Sequence, residues 1–456
     1  MHNKKIIRLL AIALPLVALA GCGGGSGATV TDGGKVLNIH AWNDEFQNRF
    51  RDYYPDYVST NAAGDEDTLK DGTKVKWTIV ANQDNAYQNA LDASLENRAT
   101  TPVDQQVDMF LMEADYALKY VETDYTLDIV KDLGIKTTDL ADQYQYTKDI
   151  VTDSKGAIKG SSWQATPGLF AYRRDVAEEV LGSDDPAVVQ TQLDTWAKFD
   201  AVAGQMHDDG YFMLSGFDDA YRTFSNNMSN PWVDSNKKIV IDDSILAWIE
   251  QTKDYTDNGY NNKTSLWSSE WAADQGPEGK AFGFFYSTWG INFTLLGNSL
   301  ADPDGAKEVG NGDFGNWAVV EGPASYYWGG TWIAGVNGTD NGSHIKDIML
   351  KLTMDKAIMK DITLDTEDFT NTISGMTEIA NDETYGSAFL GGQNHVKLFV
   401  ESAKNIDMSN ISAYDQGLNE SIQSSFRDYF LGTVDEDTAW DNFYDTIADK
   451  YPALTR

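Results

Sequence analysis

The stretch VLNIHAWNDEFQNRFRDYY, residues 36–54, decides the fold class of this chain. Residues 36–41 form a short, mostly apolar run that predicts a β-strand. Asn43 follows where a helix N-cap is expected. Three aromatic residues then recur at helical spacing: Phe46, Phe50 and Tyr53. The stretch therefore predicts a strand that leads through a short turn into a helix.

The same pattern occurs twice more towards the C-terminus. Residues 75–79 alternate between apolar and polar side chains, as a strand does, and residues 86–95 have the pattern of a helix. Residues 107–112 predict a third strand, and residues 116–121 predict a third helix. Three strand–helix units in succession predict a parallel sheet covered by helices.

The α/β pattern restarts at Gly168, with a strand at 169–172 and a helix at 175–182. Later segments predict helices at 195–206, 244–255 and from 409 onward, and strands at 281–286, 317–320 and 331–336. The chain has 456 residues, which is more than one compact core usually serves. We therefore expect two α/β lobes.

The charge of the chain excludes two classes of partner. Asp and Glu number 70 against 35 Lys and Arg, which gives a net charge of −35. Such a chain repels nucleic acid and anionic lipid, so neither a nucleic-acid site nor a polybasic membrane patch is expected.

The N-terminus has the features of a bacterial lipoprotein signal. Lys4, Lys5 and Arg8 precede the apolar residues 9–19, and the sequence Leu-Ala-Gly-Cys ends at Cys22, the only cysteine. This pattern predicts a signal peptide at 1–21, lipidation of Cys22 and a glycine-rich tether at 22–34. The mature protein is then expected outside the cytoplasm and in contact with the membrane only through its lipid.

The sequence contains no motif that establishes an enzyme. It has neither a phosphate-binding P-loop nor a nucleophile elbow, and its histidines are not paired at a spacing that suits a metal. Neighbouring carboxylates are frequent, but 70 acidic residues produce such pairs by chance. We therefore predict no catalytic residues, no metal and no cofactor.

Tryptophans are unusually frequent, with 13 in the chain, and several stand where strands end or in polar loops. An indole face stacks on the apolar face of a sugar ring, while carboxylates, amides and arginine bond the hydroxyl groups. Packing residues of the core are the alternative interpretation. The tryptophans concerned are Trp42, Trp163, Trp267, Trp271, Trp289 and Trp328.

Several short motifs, in this order behind the lipoprotein signal, carry a family resemblance. They are LNIHAWND (37–44), FLMEADY (110–116), GLFAYRRD (168–175), YSTW (286–289), Gly322-Pro323, WGGTW (328–332) and YDQGLN (414–419). With them the chain resembles the solute-binding lipoproteins of bacterial carbohydrate ABC transporters, the broad group that includes maltose-binding proteins.

The resemblance implies a two-lobed fold of the type II periplasmic-binding class, with a central ligand cleft and a hinge that the chain crosses more than once. We expect the crossings near residues 166–169, 276–282 and 322–330. The N-terminal lobe would comprise residues 35–167 and 282–325. The C-terminal lobe would comprise residues 168–281 and 326–456.

The resemblance also implies residues of the sugar cleft. The positions that match most directly are Trp42 with Asp44, Glu113 with Asp115, and Trp289. A looser match adds Trp163 with Gln164, Arg222, Trp267 with Trp271, Trp328, and Asp415. Arg222 is the only cation that this set places near the cleft, so we expect a neutral sugar.

The expected function is capture of a neutral oligosaccharide by a monomeric binding protein, which closes its lobes and delivers the sugar to an ABC permease. A lipid anchor favours a Gram-positive host. Two alternatives remain: a glycoside hydrolase that uses a pair such as Glu113 and Asp115, or the same fold with a peptide or polyamine ligand.

Overall fold

The computed structural model describes residues 30–456. The predicted signal peptide, Cys22 and most of the tether therefore lie outside the described residues. The strands are β1 (Val36–Ala41), β2 (Tyr57–Thr60), β3 (Glu66–Leu69), β4 (Lys74–Ile79), β5 (Met109–Glu113), β6 (Ser161–Ser162), β7 (Gly168–Arg173), β8 (Leu214–Gly216), β9 (Asn261–Thr264), β10 (Gly283–Ser287), β11 (Trp317–Val320) and β12 (Thr331–Gly335).

The α-helices are α1 (Glu45–Tyr53), α2 (Ala86–Glu96), α3 (Ala117–Val121), α4 (Gln145–Asp149), α5 (Arg174–Leu181), α6 (Pro186–Leu193), α7 (Trp196–Asp208), α8 (Tyr221–Ser225), α9 (Asp243–Asn258), α10 (Ser269–Ala273), α11 (Leu296–Ser299), α12 (Gly342–Met354), α13 (Lys356–Thr366), α14 (Ile373–Ala380), α15 (His395–Ala403), α16 (Asp415–Phe430) and α17 (Glu436–Lys450). A π-helix, Gly290–Leu295, precedes α11. Among the described residues, no helix combines the length and the apolar character that crossing a membrane requires.

The first sheet is built on β1, as residues 36–54 predicted. Its order is β2-β3-β4-β1-β5-β12-β6, and β1 pairs in parallel with both β4 and β5. Leu37, Ile39 and Ala41 share one face of β1 and are fully buried in a core cluster with side chains of α1, α12 and α13. The hairpin of β2 and β3 was not predicted, because its strands are short and half exposed.

The second sheet is small and antiparallel, with the order β10-β7-β11. Every residue of its strands is buried. A separate pair of parallel strands, β8 and β9, lies near β10. Helix α16, near the C-terminus, packs on α17 and on α9. Its buried stripe includes Leu418, Ile422 and Phe426.

The strand pairing corrects the expected division of the chain. Strands β10 and β11 pair with β7, so residues 282–325 belong with the second sheet and not with the first. Strand β12 pairs with β5, so the chain returns to the first sheet at residue 331. The sequence could not reveal this because β10, β11 and β12 are equally apolar, and only their neighbours in space distinguish them.

We name the lobes by these sheets. The first lobe comprises residues 30–162 and 331–366, and the second comprises residues 168–320 and 395–456. The chain crosses between the two sheets at 163–167 and at 321–330, close to two of the expected hinge segments. It does not cross at 276–282, because the strands on either side, β9 and β10, both belong to the second lobe.

Candidate functional site

A cavity of about 610 Å³ lies between the two lobes. The first lobe contributes the turn after β1, the start of α1 and the end of β5, and the second contributes the segments after β9 and β10. The hinge residues 328–330 complete the lining. A cavity of this size, at the carboxyl ends of parallel strands, is where α/β folds bind small ligands.

Three tryptophans form one side of the cavity, which we call the aromatic wall: Trp267, Trp289 and Trp328. The ring of Trp267 lies 6.2 Å from that of Trp289, with 23° between their planes. The indole Nε1 of Trp289 donates a hydrogen bond of 2.9 Å to the carbonyl oxygen of Trp328. Behind them the ring of Tyr286 stacks on Trp328, with centroids 5.9 Å apart. The orientation of the wall is therefore fixed by packing and by one hydrogen bond.

Trp267 is unusual in two respects. Its side chain is 56% exposed although it is large and apolar. Its φ is +67°, in the left-handed region that bulky residues rarely adopt. An exposed indole held in a strained backbone is typical of a binding site, because neither feature stabilises the fold.

Charged side chains also line the cavity, and we call four of them the charged wall: Asp44, Glu45, Arg49 and Glu113. Oε2 of Glu113 accepts a hydrogen bond of 2.9 Å from the backbone N–H of Asp115. Oε1 of Glu45 accepts one of 3.2 Å from the amide of Gln164, which also donates to Asp368 at 2.9 Å. Each of these glutamates keeps a second carboxyl oxygen that can bond a ligand.

Burial changes the protonation of the two glutamates. Desolvation, followed by the negative charge of Asp368, raises the pKa of Glu45 to about 7, against the opposing effect of Arg49. Desolvation and the nearby Asp115 also raise the pKa of Glu113, although Arg222 opposes this shift. At neutral pH the charged wall therefore holds carboxyl groups that can donate as well as accept hydrogen bonds.

Arg49 is the one basic residue among the described residues that line the cavity. Its guanidinium lies over the ring of Trp163, 5.3 Å from the ring centroid. Its Nε is buried and has no hydrogen-bond partner in the described part of the chain. A guanidinium stacked in place at the cavity can bond the hydroxyl oxygens of a ligand through its Nη groups.

The structure brings together most of the residues predicted from the sequence. Those that line the cavity are Trp42, Asp44, Glu113, Gln164, Trp267, Trp289 and Trp328. Trp42 also packs edge-on against Tyr87 and Tyr116, with ring centroids 5.7 and 6.4 Å away.

Two predicted tryptophans lie in the core instead, so their assignment to the cleft was wrong. Trp163 is fully buried beneath Arg49, and Trp271 is only 2% exposed behind Trp267. The indole Nε1 of Trp271 donates to Asp219 at 2.8 Å. Both residues stand next to polar segments, but their side chains point inward, which the sequence does not indicate.

Three other predicted residues lie beside the large cavity and not in it. Asp115, Arg222 and Asp415 line a separate space of about 40 Å³, which is too small for a sugar. Arg222 and Asp115 form an ion pair, so Arg222 is not available as the cation of the cleft. That position is taken by Arg49, which the sequence analysis missed.

The remaining lining residues were not predicted. They are Asn43, Glu45, Asn48, Arg49, Asn292, Phe293, Thr294, Gly329, Gly330, Thr331, Thr366 and Asp368. Glu45, Asn48 and Arg49 are spaced three and four residues apart, so one face of α1 presents all of them. The signal that could have found them is this helical spacing directly after the predicted cleft residues Trp42 and Asp44. Among residues 30–456, no three His, Cys, Asp or Glu side chains form a group that could hold a metal ion.

No family model matches the sequence, and a search of curated proteins finds no match either. Solved structures do match over nearly the whole chain. A structure described as an extracellular solute-binding protein of family 1 covers 92% of this chain and 100% of its own, with a TM-score of 0.72 and 16% identity.

Two further structures show the same likeness. The ABC transporter associated binding protein from B. animalis subsp. lactis Bl-04, in complex with beta-1,6-galactobiose, covers 92% of this chain and 99% of its own. Its TM-score is 0.63 at 16% identity. The sugar-binding protein MalE from Xanthomonas citri covers 91% and 98%, with a TM-score of 0.66 at 12% identity. These likenesses confirm the predicted fold class, the two-lobed fold of solute-binding proteins.

Proposed function

We propose that this chain is an extracytoplasmic solute-binding protein that captures a neutral oligosaccharide for an ABC importer. The observation that carries the proposal is the cavity between the lobes, which is lined by both an aromatic wall and a charged wall. A sugar ring has apolar C–H faces and a rim of hydroxyl groups, and these two walls match those two surfaces.

The polar groups of the cavity favour a neutral ligand over an ion. Asp44, Glu45 and Glu113 offer carboxyl oxygens, and Arg49 offers N–H donors, so donors and acceptors are both present. An anionic sugar would have to approach these carboxyls and the net charge of −35. The solved structures with this fold include proteins that hold galactobiose, lacto-N-biose and maltose, which agrees with the proposal.

The mode of action that we propose is closure of the lobes around the sugar and recognition of the closed form by the permease. The cavity needs residues of both lobes, so a ligand that contacts both walls stabilises the closed arrangement. A lipid on Cys22 would retain a monomeric protein at the outer face of the membrane, as expected in a Gram-positive cell.

The lipid anchor can be tested by itself with Cys22→Ser. The variant is expected in the soluble fraction after membrane fractionation, with unchanged affinity for sugar, because the described residues that line the cavity begin at Trp42. A variant that still sediments with membranes would contradict the lipoprotein assignment.

One alternative, a glycoside hydrolase, has less support in the geometry. The pair considered for it was Glu113 and Asp115, but both oxygens of Asp115 accept hydrogen bonds from Arg222 at 2.5 Å. A carboxylate held in this way is poorly placed to attack a sugar or to activate water. The solved structures with this fold described above are binding proteins.

A cationic ligand such as a polyamine is the second candidate function. The observation that favours it is the excess of carboxyl groups over the single guanidinium among the charged lining residues. Arg49 and the raised pKa of Glu45 count against it, because both reduce the negative charge that a cation would meet.

Isothermal titration calorimetry separates these candidates. The purified protein is titrated with maltose, beta-1,6-galactobiose, longer neutral oligosaccharides and spermidine, and each mixture is then analysed by chromatography. We expect tight binding of one neutral oligosaccharide, with the sugar recovered intact. Tighter binding of spermidine, cleavage of a sugar, or no binding across a broad glycan panel would each contradict the proposal. Trp440→Ala, on α17 and outside the cavity, is the control for variants that remove a tryptophan from the cavity, and it should bind the sugar as the wild type does.

A further inference from the structure

An ion pair joins the two lobes beside the cavity. Asp115 lies in the turn that follows β5 of the first lobe, and Arg222 lies on α8 of the second. Nη1 and Nη2 of Arg222 each lie 2.5 Å from a different carboxylate oxygen of Asp115. Both side chains are about four-fifths buried, with 21% and 23% of their surfaces exposed. A bidentate pair of this kind fixes the orientation of both partners.

The pair is linked directly to the charged wall. The backbone N–H of Asp115 donates to Oε2 of Glu113, so the position of the Asp115 turn determines that of the Glu113 carboxyl. The other oxygen of Glu113 lies close to Gly329 in the hinge, where an added Cβ would be only 3.5 Å from it. Glu113 lines the large cavity, whereas Asp115 and Arg222 do not. Arg222 therefore does not line the ligand site itself, and it acts on that site through Asp115 and through its charge near Glu113.

The other groups around the pair do not replace Arg222. Asp415 faces it from the start of α16, but its carboxylate accepts hydrogen bonds from the backbone N–H and hydroxyl of Ser412. Tyr327 faces it from the hinge, and Tyr116 lies beside Glu113. None of these groups carries a positive charge, so among residues 30–456 Arg222 is the cation that offsets the negative charges of Glu113 and Asp115.

We propose that Arg222 is a positioning residue for the sugar site: by holding Asp115 across the lobes, it sets the carboxyl of Glu113 in the cavity. The inference rests on the proposed function. It also means that the site is complete only when the lobes stand as they do here. The ion pair Asp115–Arg222 favours one closed arrangement of the lobes. A sugar that bonds Glu113 favours the same arrangement, so the ion pair and the sugar strengthen each other.

The test compares Arg222→Ala and Arg222→Lys with the wild type. Lysine keeps the charge but loses the bidentate geometry, so it should restore only part of the function. Arg427→Ala is the matched control, because Arg427 also belongs to the second lobe and faces an acid, Asp218, at 3.6 Å, but does not line the large cavity. Affinity for the best sugar should fall about tenfold in Arg222→Ala, which corresponds to about 1.4 kcal/mol, less in Arg222→Lys, and little in the control.

Two further measurements distinguish positioning from a structural role. The first is the distance between spin labels on Asp104→Cys and Asp209→Cys, exposed sites on different lobes, in a Cys22→Ser background. Without ligand, this distance should be longer in Arg222→Ala. The second is the pH profile of affinity. Because the charge of Arg222 lowers the pKa of Glu113, its loss should move the inflection that belongs to Glu113 to higher pH, and Glu113→Gln should remove that inflection while the one from Glu45 stays.

The outcomes are separable from those of the proposed function. If the wild type binds sugar and Arg222→Ala changes neither the label distance nor the pH inflection, the positioning role is refuted and the proposed function stands. If the wild type binds no glycan, both are refuted. If Arg222→Ala fails to fold, the label distance and the pH profile of affinity are measured in Arg222→Lys and Asp115→Asn instead. A shifted inflection of the pH profile in either variant supports the proposal.

Discussion

The two walls of the cavity differ in what they contribute to the fold. The aromatic wall is stabilised by its own packing: Trp289 bonds to Trp328, and Tyr286 stacks behind Trp328. Burial of apolar surface stabilises a protein whether or not a ligand is present. The charged wall places Glu45 where its charged form is unfavourable and leaves Nε of Arg49 without a partner among residues 30–456. These features cost stability and give the fold nothing in return.

This difference in stability shows that the charged wall is the stronger evidence for a binding function. Packing alone explains Trp289 and Trp328, but it does not explain Glu45 and Arg49. Only Trp267, exposed and strained, stands out from the aromatic wall in the same way. In the sequence, by contrast, the aromatic wall is the easier one to identify. Tryptophans are rare residues, whereas two charged residues on a helix do not stand out from 70 acidic and 35 basic residues.

The largest expected effect comes from the aromatic wall. Trp289→Ala should weaken binding of the sugar by about five- to 150-fold, because one stacking platform contributes about 1–3 kcal/mol by analogy with base stacking on aromatic side chains. Calorimetric titration of the variant and the wild type measures the change. Unchanged affinity would mean that this wall serves packing alone.

The second prediction concerns the stability cost of the charged wall. The pKa of Glu45 is raised to about 7 in the folded state from an ordinary value of 4.5, so the folded protein binds a proton more tightly than the unfolded chain. The free energy of unfolding should therefore fall as pH rises from about 4.5 through about 7.

Glu45→Gln removes this titration and keeps the shape of the side chain. At pH 8 the variant should be more stable than the wild type by about 1–3 kcal/mol, while at pH 4 the two should be nearly equal. Urea unfolding at both pH values measures the difference. Asp428→Asn, on the outer part of α16, is the control and should leave the pH dependence unchanged. A wild type that is equally stable at pH 5 and pH 8 would contradict the cost assigned to this wall.

The third prediction tests Arg49 as the cation of the cavity. Arg49→Met keeps the length of the side chain but loses its donors, so affinity for a neutral sugar should fall about fivefold, since one hydrogen bond to a charged group contributes about 1 kcal/mol or more. The wild type should bind the corresponding uronic acid more weakly than the neutral sugar. Titrations at low and high salt measure both. Tighter binding of the acidic sugar, weakening steeply with salt, would reverse the balance of charge that we infer.

The smallest expected effect concerns the rim of the aromatic wall. Phe293 on the π-helix is 82% exposed and lines the cavity, so it can contact only a ligand that extends to the mouth. Phe293→Ala should leave disaccharide affinity unchanged and reduce affinity for a longer oligosaccharide about threefold. Val309→Ala is the control, because Val309 is 80% exposed and lies outside the cavity. Equal losses for short and long sugars would place Phe293 in the main site.

The sequence predicted much of the site, because residues that end a strand are carried to a known edge of the sheet. Trp42 and Asp44 follow β1, Glu113 ends β5, and Trp289 follows β10, and all of these line the cavity. Trp163, in the hinge segment 163–167, and Arg222, on the five-residue helix α8, do not line the cavity for one shared reason. The direction of a side chain from an irregular segment or a short helix depends on neighbours that are distant in sequence, such as Arg49 above Trp163 and Asp115 opposite Arg222.

The sequence by itself determined the α/β class and the strand–helix unit at 36–54, because hydrophobic periodicity is local and survives in the order of the residues. The two-lobed fold was expected from the chain length, from the restart of the pattern at Gly168 and from the family resemblance. Only the tertiary structure decided that β10 and β11 join β7 while β12 returns to β5. It alone also decided that Arg49 faces the cavity and that Arg222 pairs across the lobes. Strands that are equally apolar can pair with the same neighbours, and charged side chains pair with whichever opposite charge lies near them in space. Neither kind of pairing can be read from any single position of the chain.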